Sequence, residues 1–221
     1  PSSAASDVYK RQDVLLIEGQ SRVSNYVRAF TQSPWTHAAI YVGRLHDIED
    51  NYLRKILATH MDKRVNTPLV IEGIFGKGTV VNPLSIYRNQ HIRICRPIGL
   101  SPTDAEEVIA FAIKSLGKPY NVRQFLDMAR FLLPWAILPR RYRSTLFNTP
   151  SGEPESGICS SMIAEAFNNV QFPILPVMKK TDPTIEDNAE NIELVKRHPH
   201  LYTPKDFDYS PYFETVSYTH L

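Results

Sequence analysis

The chain has 221 residues, 43% of them hydrophobic and 22% charged, with 25 Lys and Arg against 23 Asp and Glu for a formal charge of +2. So small a net charge excludes a dedicated nucleic-acid binder, and no apolar run reaches the roughly 18 residues that would cross a bilayer. Two cysteines, Cys95 and Cys159, exclude a multi-bridge disulfide framework. The ends, 1–12 and 216–221, do not continue the patterns beside them and resemble translated sequencing-adapter sequence of the kind found at the edges of metagenomic reading frames. The domain is therefore read as 13–215, a size that can bury a real core.

In chain order, Val14-Leu15-Leu16-Ile17 reads as a short strand closed by Gly19. Val23, Tyr26, Val27 and Phe30 then fall at helical spacing within Arg22–Phe30. The next strand, Trp35-Thr36-His37-Ala38-Ala39-Ile40-Tyr41-Val42-Gly43, sets Ala38, Ile40 and Val42 on one face and His37, Ala39 and Tyr41 on the other. Asp47–His60 has helical spacing but charged flanks, which predicts a surface insertion. Three more strands follow at Leu69–Ile74, Gly78–Val81 and His91–Cys95, punctuated by glycines and Pro83, and together they predict a small antiparallel sheet.

The helix after them has both boundaries written in sequence. Ser101 is the N-cap, Pro102 opens the first turn, Gly117 and Pro119 stop it, and Val108, Ile109, Ala112, Ile113 and Leu116 form its buried stripe. A second helical stretch runs from Val122 to Leu133 and ends at Pro134. After a Gly, Pro and Ser-rich loop over Thr149–Ser156 comes a helix from Ile158 to about Asn168. The remainder, Phe172–Glu214, is punctuated by prolines and is expected to wrap the surface.

Cys159 falls in the first turn of its helix, where free backbone N–H groups and the helix dipole favour a thiolate. Cys95, inside a strand pattern, has no such environment and reads as structural. His37 projects from a strand face kept open by small residues. Glu72 stands alone among Val70, Ile71 and Ile74 on the strand that would pair beside it, and a carboxylate in so apolar a run needs a partner. An imidazole that serves a thiol needs such a polar group to hold its orientation; Asp13, Glu18 and Asn82 are the weaker alternatives to Glu72. The other histidines show no metal-ligand spacing.

The order strand-His (Trp35 to Gly43), strand-Glu (Val70-Ile71-Glu72-Gly73), Gly117-Lys118-Pro119-Tyr120 and helix-Cys (Ile158-Cys159-Ser160-Ser161) resembles the circularly permuted NlpC-type papain-like cysteine hydrolases, in their YiiX/YebB-like (lipo-like) branch. The resemblance covers roughly Asp13 to Pro176. It implies an α+β circularly permuted papain-like fold, a small antiparallel sheet packed against helices. It further implies Cys159 as nucleophile, His37 as general base and Glu72 as orienter, with no cofactor or metal. Tyr120 and Tyr41 are the expected substrate-binding residues.

The expected reaction is hydrolysis of a peptide or amide through a thioester. The alternatives are acyl transfer or thioester hydrolysis on a lipid, or a catalytically silent module that binds lipid or peptide. Residues 122–143 carry apolar side chains beside five arginines and one aspartate, so peripheral membrane contact competes there with an ordinary helix bearing a basic end. The expected location is cytoplasmic or membrane-peripheral.

Overall fold

The structure, a computed structural model, describes residues 8–20, 24–25, 28, 31–61, 66–74, 76–119, 158–180, 192–195 and 197–216. Its centre is a six-stranded antiparallel sheet built from β1 (Val14–Glu18), β2 (His37–Gly43), β3 (Leu69–Ile74), β4 (Gly78–Pro83), β5 (His91–Pro97) and β8 (Phe213–Val216). The strand order is β4-β3-β2-β1-β5-β8, so the first two strands lie in the middle. A separate two-stranded ladder joins β6 (Val177–Lys180) to β7 (Ile192–Val195). The arrangement is α+β, an antiparallel sheet packed against helices, as expected from the sequence.

β1 is buried on both faces, as its unbroken apolar run requires. Val14 and Leu16 enter one core with Ala38, Ile40 and Val42 of β2. Leu15 and Ile17 enter a second core with Ala39 and Tyr41. The first core is closed by helices. These are α1 (Asn51–His60), α2 (Pro102–Lys114), α3 (Ile158–Asn169) and the short α4 (Pro204–Asp208). α2 begins where its cap signal predicts: the Ser101 hydroxyl accepts from the Asp104 backbone N–H at 3.1 Å, and Val108, Ile109, Ala112 and Ile113 face inward.

The exit of α2 fixes the start of β4. Gly117 N–H donates to the Thr79 carbonyl at 2.9 Å and Thr79 N–H donates to the Lys118 carbonyl at 3.1 Å. Gly78 has φ +80°, and a Cβ there would fall 2.3 Å from the Lys118 carbonyl oxygen, so only glycine permits this approach.

Three expectations are corrected. Asp47–His60 is not a surface insertion: Ile48, Leu53 and Leu57 are buried in the helix-side core, and Asp50 caps α1 by accepting from Tyr52 and Leu53 N–H. Glu49 and Asp50 at its start are exposed while its apolar stripe is not, a division that charge counting alone misses. The C-terminal part does more than wrap the surface. β8 pairs with β5, and Tyr202, Phe207 and Phe213 are core residues, because strand pairing between segments so distant in sequence leaves no local signature. Finally, residues 8–12 and 216, set outside the domain on sequence grounds, are seated in it. Tyr9 is buried against the Tyr41 ring at 5.4 Å, Gln12 N–H donates to the Tyr41 carbonyl, and Val216 pairs with Ile94. The helix read over Arg22–Phe30 lies mostly outside the described residues, with Ser24, Asn25 and Arg28 helical. The helical stretch from Val122 to Leu133 and the loop over Thr149–Ser156 lie outside them altogether.

Candidate active site

His37 is the first residue of β2, and β3 runs antiparallel beside it with Ala39 opposite Glu72. That register puts Glu72 one pleat further along the same face, within side-chain reach of the imidazole. His37 Nε2 is hydrogen-bonded to Glu72 Oε2. Glu72 is almost fully enclosed, at 1% exposure, whereas the His37 side chain keeps 24%.

Cys159 comes from the first turn of α3. Met162, Ile163, Ala164, Ala166 and Phe167 bury the helix, which packs on β2 and β3 and so delivers its N-terminal end to the start of β2. Cys159 is 8% exposed, and its sulfur interacts with the His37 ring. Since Nε2 is committed to Glu72, Nδ1 is the ring nitrogen left for the sulfur. The next residue, Ser160, is wholly buried and donates its hydroxyl to the Tyr202 carbonyl, which ties the first turn of α3 to the C-terminal segment.

Two donors surround Glu72 on its other sides. Asn82 Nδ2 donates to Oε1 at 2.9 Å, and the Tyr87 hydroxyl donates to Oε2. Burial alone would push this carboxyl up, but the hydrogen bond and charge of His37, with the Tyr87 and Asn82 donors, hold it below its usual range. Burial likewise opposes the imidazolium of His37. The hydrogen bond and charge of Glu72, together with the nearby Cys159, outweigh it and push His37 up to about 10.

Against this geometry the comparisons are specific. The family described as "Permuted papain-like amidase enzyme, YaeF/YiiX, C92 family" matches residues 8–129, more than half of the chain, a span that holds His37, Glu72, Asn82 and Tyr87 and stops short of Cys159. The chain belongs to that family. This permuted papain-like amidase also shares its fold with the crystal structure of the metalloprotein YiiX from Escherichia coli O157:H7. The two are 15% identical with a TM-score of 0.54, over 97% of this chain and 99% of the other. No curated protein is similar enough to this chain to count as a match. Among the described residues no group of three His, Cys, Asp or Glu is arranged to hold a metal ion. Among the same residues no helix is long and apolar enough to cross a membrane.

The remaining candidates are dispersed in the amidase. Tyr41 lies four residues from His37 along β2, about 13 Å at strand rise. It is buried and faces a separate cavity of about 310 Å³ that it lines with Tyr9, Arg44 and Asp47. Tyr120 and the basic segment 122–143 lie outside the described residues. Asp13 is fully buried at the far end of β1, where Arg96 donates to both its oxygens at 2.9 and 2.8 Å. Glu18 pairs with Arg28 at 2.8 Å and with His91 at 3.1 Å. Cys95 is 1% exposed, and burial pushes its thiol up to about 12, consistent with a packing role.

Sequence reasoning missed Tyr87. It ends a 3-10 turn over Leu84–Tyr87 that follows β4, and nothing periodic distinguishes a tyrosine in such a turn. Asn82, read from the sequence only as a weaker alternative to Glu72, is instead a donor to that carboxylate.

These ionisations carry a signed pH dependence. His37 binds its proton more tightly folded than unfolded, so its stabilisation is complete below the ordinary value of 6.5 and is lost as pH rises toward about 10. Glu72, held low, contributes above its ordinary value of 4.5 and loses that contribution on acidification. Cys95 and the buried tyrosines also weaken the fold at alkaline pH, so the measurement is a difference. Between pH 7 and 10 the wild-type protein should lose stability more steeply than His37→Gln in urea titrations. Parallel curves would show that His37 does not hold its proton in the fold.

Proposed function

We propose that this amidase is a cysteine hydrolase of the NlpC type that opens an amide bond through a thioester, with Cys159 as nucleophile, His37 as general base and acid, and Glu72 as the group that holds His37. The observation that carries the reading is the convergence of Cys159, His37 and Glu72, brought together from α3, β2 and β3, with His37 Nε2 hydrogen-bonded to Glu72 Oε2. The family's description as an amidase supports the same reaction type.

In this reading the Cys159 thiolate attacks the substrate carbonyl carbon, and the S–C bond forms as the carbonyl π electrons move to oxygen. Backbone N–H groups of the first turn of α3 face the developing oxyanion. The imidazolium of His37 returns its proton to the leaving amine, the C–N bond breaks, and a thioester remains. Water, deprotonated by His37, then attacks the thioester carbonyl and releases acid and thiol. Throughout, the ionised Glu72 keeps Nε2 engaged so that the imidazolium is stabilised where it forms.

Peptide and other amide substrates are the first class. Transfer of a lipid acyl group would use the same residues, and the apolar, arginine-rich segment 122–143 would suit an acyl chain or an anionic membrane surface. Nucleic acid is no part of the proposal, since the net charge is +2.

The test is a panel of peptide amides, N-acyl amines and activated acyl esters, read by intact mass. The expected result is an acyl adduct on the peptide containing Cys159, released by hydroxylamine. An adduct that persists in Cys159→Ala overturns the assignment. If no class forms an adduct and iodoacetamide reacts with Cys159 no faster than with a peptide thiol, the fold serves as a silent binding module instead.

A further inference from the structure

Counting hydrogens at Glu72 gives a result beyond the triad. Oε1 receives the Asn82 amide N–H at 2.9 Å, and Oε2 is met by two groups, the Tyr87 hydroxyl and His37 Nε2. An ionised carboxylate only accepts, an amide nitrogen only donates, and a tyrosine has a single hydroxyl hydrogen. Two groups that converge on one acceptor oxygen must each bring a hydrogen. Nε2 of His37 therefore carries one, and in the neutral ring Nδ1 carries none.

The two outer donors sit on one piece of chain. Asn82 lies in β4 opposite Val70, and Tyr87 follows five residues later in a turn anchored by Leu84 N–H donating to the Pro68 carbonyl at 2.8 Å. The Tyr87 ring is buried at 6% exposure in the second core with Leu84 and Val70, and its centroid stands 6.3 Å from that of His37. Backbone and packing thus hold both donors in place without help from Glu72.

We propose that Tyr87, assisted by Asn82, is a positioning residue that selects the tautomer of His37: by donating to Oε2 while Asn82 donates to Oε1 it keeps the carboxylate ionised and unable to turn, so Nε2 stays protonated and Nδ1 is the base presented to Cys159. Without the hydroxyl, a buried lone pair on Oε2 is left unpaired. Glu72 then relieves that cost by taking up a proton or rotating, and the grip on Nε2 loosens. This rests on the proposed role of His37 as base to Cys159.

The experiment needs no substrate. ¹⁵N-histidine spectra of the Cys159→Ala protein, titrated to the pH at which His37 becomes neutral and with its signal assigned by its loss in His37→Gln, should show the neutral ring protonated at Nε2. The same spectra with Tyr87→Phe added should show a mixture of tautomers. In proteins that retain Cys159, the rate of its alkylation by iodoacetamide is followed from pH 5 to 9, with the labelled peptide located by mass. Tyr87→Phe is expected to slow alkylation roughly ten- to hundredfold, the loss set by a hydrogen bond to a charged group. It should also move the acid limb of the profile to higher pH, with a fall of about 2–12 °C in melting temperature.

A His37 ring that keeps its Nε2 proton in Tyr87→Phe, with alkylation within about twofold of wild type, overturns the proposal. Should Tyr87→Phe fail to fold, Asn82→Ala must shift the same limb in the same direction, and an unmoved profile overturns the proposal equally. The role of His37 is read separately. If wild-type alkylation is unchanged in His37→Gln, the base assignment itself fails, whereas a His37-dependent rate that ignores Tyr87 removes only the tautomer selection.

Discussion

Cys159→Ala should abolish acyl-adduct formation and reduce hydrolysis of any responsive amide by roughly 10⁴-fold or more, the scale seen when a covalent nucleophile is removed. The argument is chemical. No other sulfur can substitute, because Cys95 lies buried in β5 on the helix-side core with its thiol pushed up by burial. Alanine fills the site with little strain, since Cys159 lies at the end of α3 and only its sulfur is lost. The fold should therefore survive, and a circular dichroism spectrum and melting temperature near wild type separate a chemical defect from a structural one. His37→Ala should fall into the same range, and the double variant should be hardly worse than either single one, because residues that act as a unit are not additive. A Cys159→Ala protein that keeps more than about a tenth of wild-type turnover would move the nucleophile elsewhere.

Phe167→Ala is expected to cost about 3–5 kcal/mol of folding stability. Phe167 is fully enclosed near the C-terminal end of α3 and meets Phe213 edge-on at 5.2 Å, with Phe172 5.5 Å away. Phe213 in turn stands perpendicular to Phe207 at 5.5 Å. Four rings thereby join α3 to α4 and to the edge strand β8. Deleting one removes its buried area and leaves a cavity that neighbours so close-packed cannot fill. At this chain length the melting temperature should fall by about 6–20 °C. Tyr52→Ser, at a position 66% exposed, should change stability by no more than about 0.5 kcal/mol and serves as the control. A Phe167→Ala protein as stable as that control would mean that the aromatic cluster does not hold the C-terminal segment.

How much of this was legible beforehand follows from the range over which each signal acts. The helix at 102–114 was readable because its cap, its first-turn proline, its stripe and its terminating glycine all act within one or two turns. β1 and β2 were readable because their side chains obey a period of two. Glu72 was readable because a lone carboxylate in an apolar strand is costly without a partner, and the partner it found, His37, is the one the strand order implied. The Asp47–His60 segment misled because charges at its flanks outweighed the inward stripe of Leu53 and Leu57 in a sequence reading, whereas burial depends only on which way the stripe faces.

The sequence by itself determined the local vocabulary of this protein: the strand that carries His37, the strand that carries Glu72, the capped helix and the helix that opens at Cys159. Tertiary structure alone decided the rest. The pairing of β3 to β2 in the register that sets Glu72 one pleat from His37, the seating of α3 against both strands, and the return of β8 to β5 join segments far apart in the chain. Their energy is realised only after a long loop has been closed, and nothing within a local window records it. For the same reason Tyr87, an unremarkable residue in a turn, became the second donor on Glu72 only when β4 was laid beside β3.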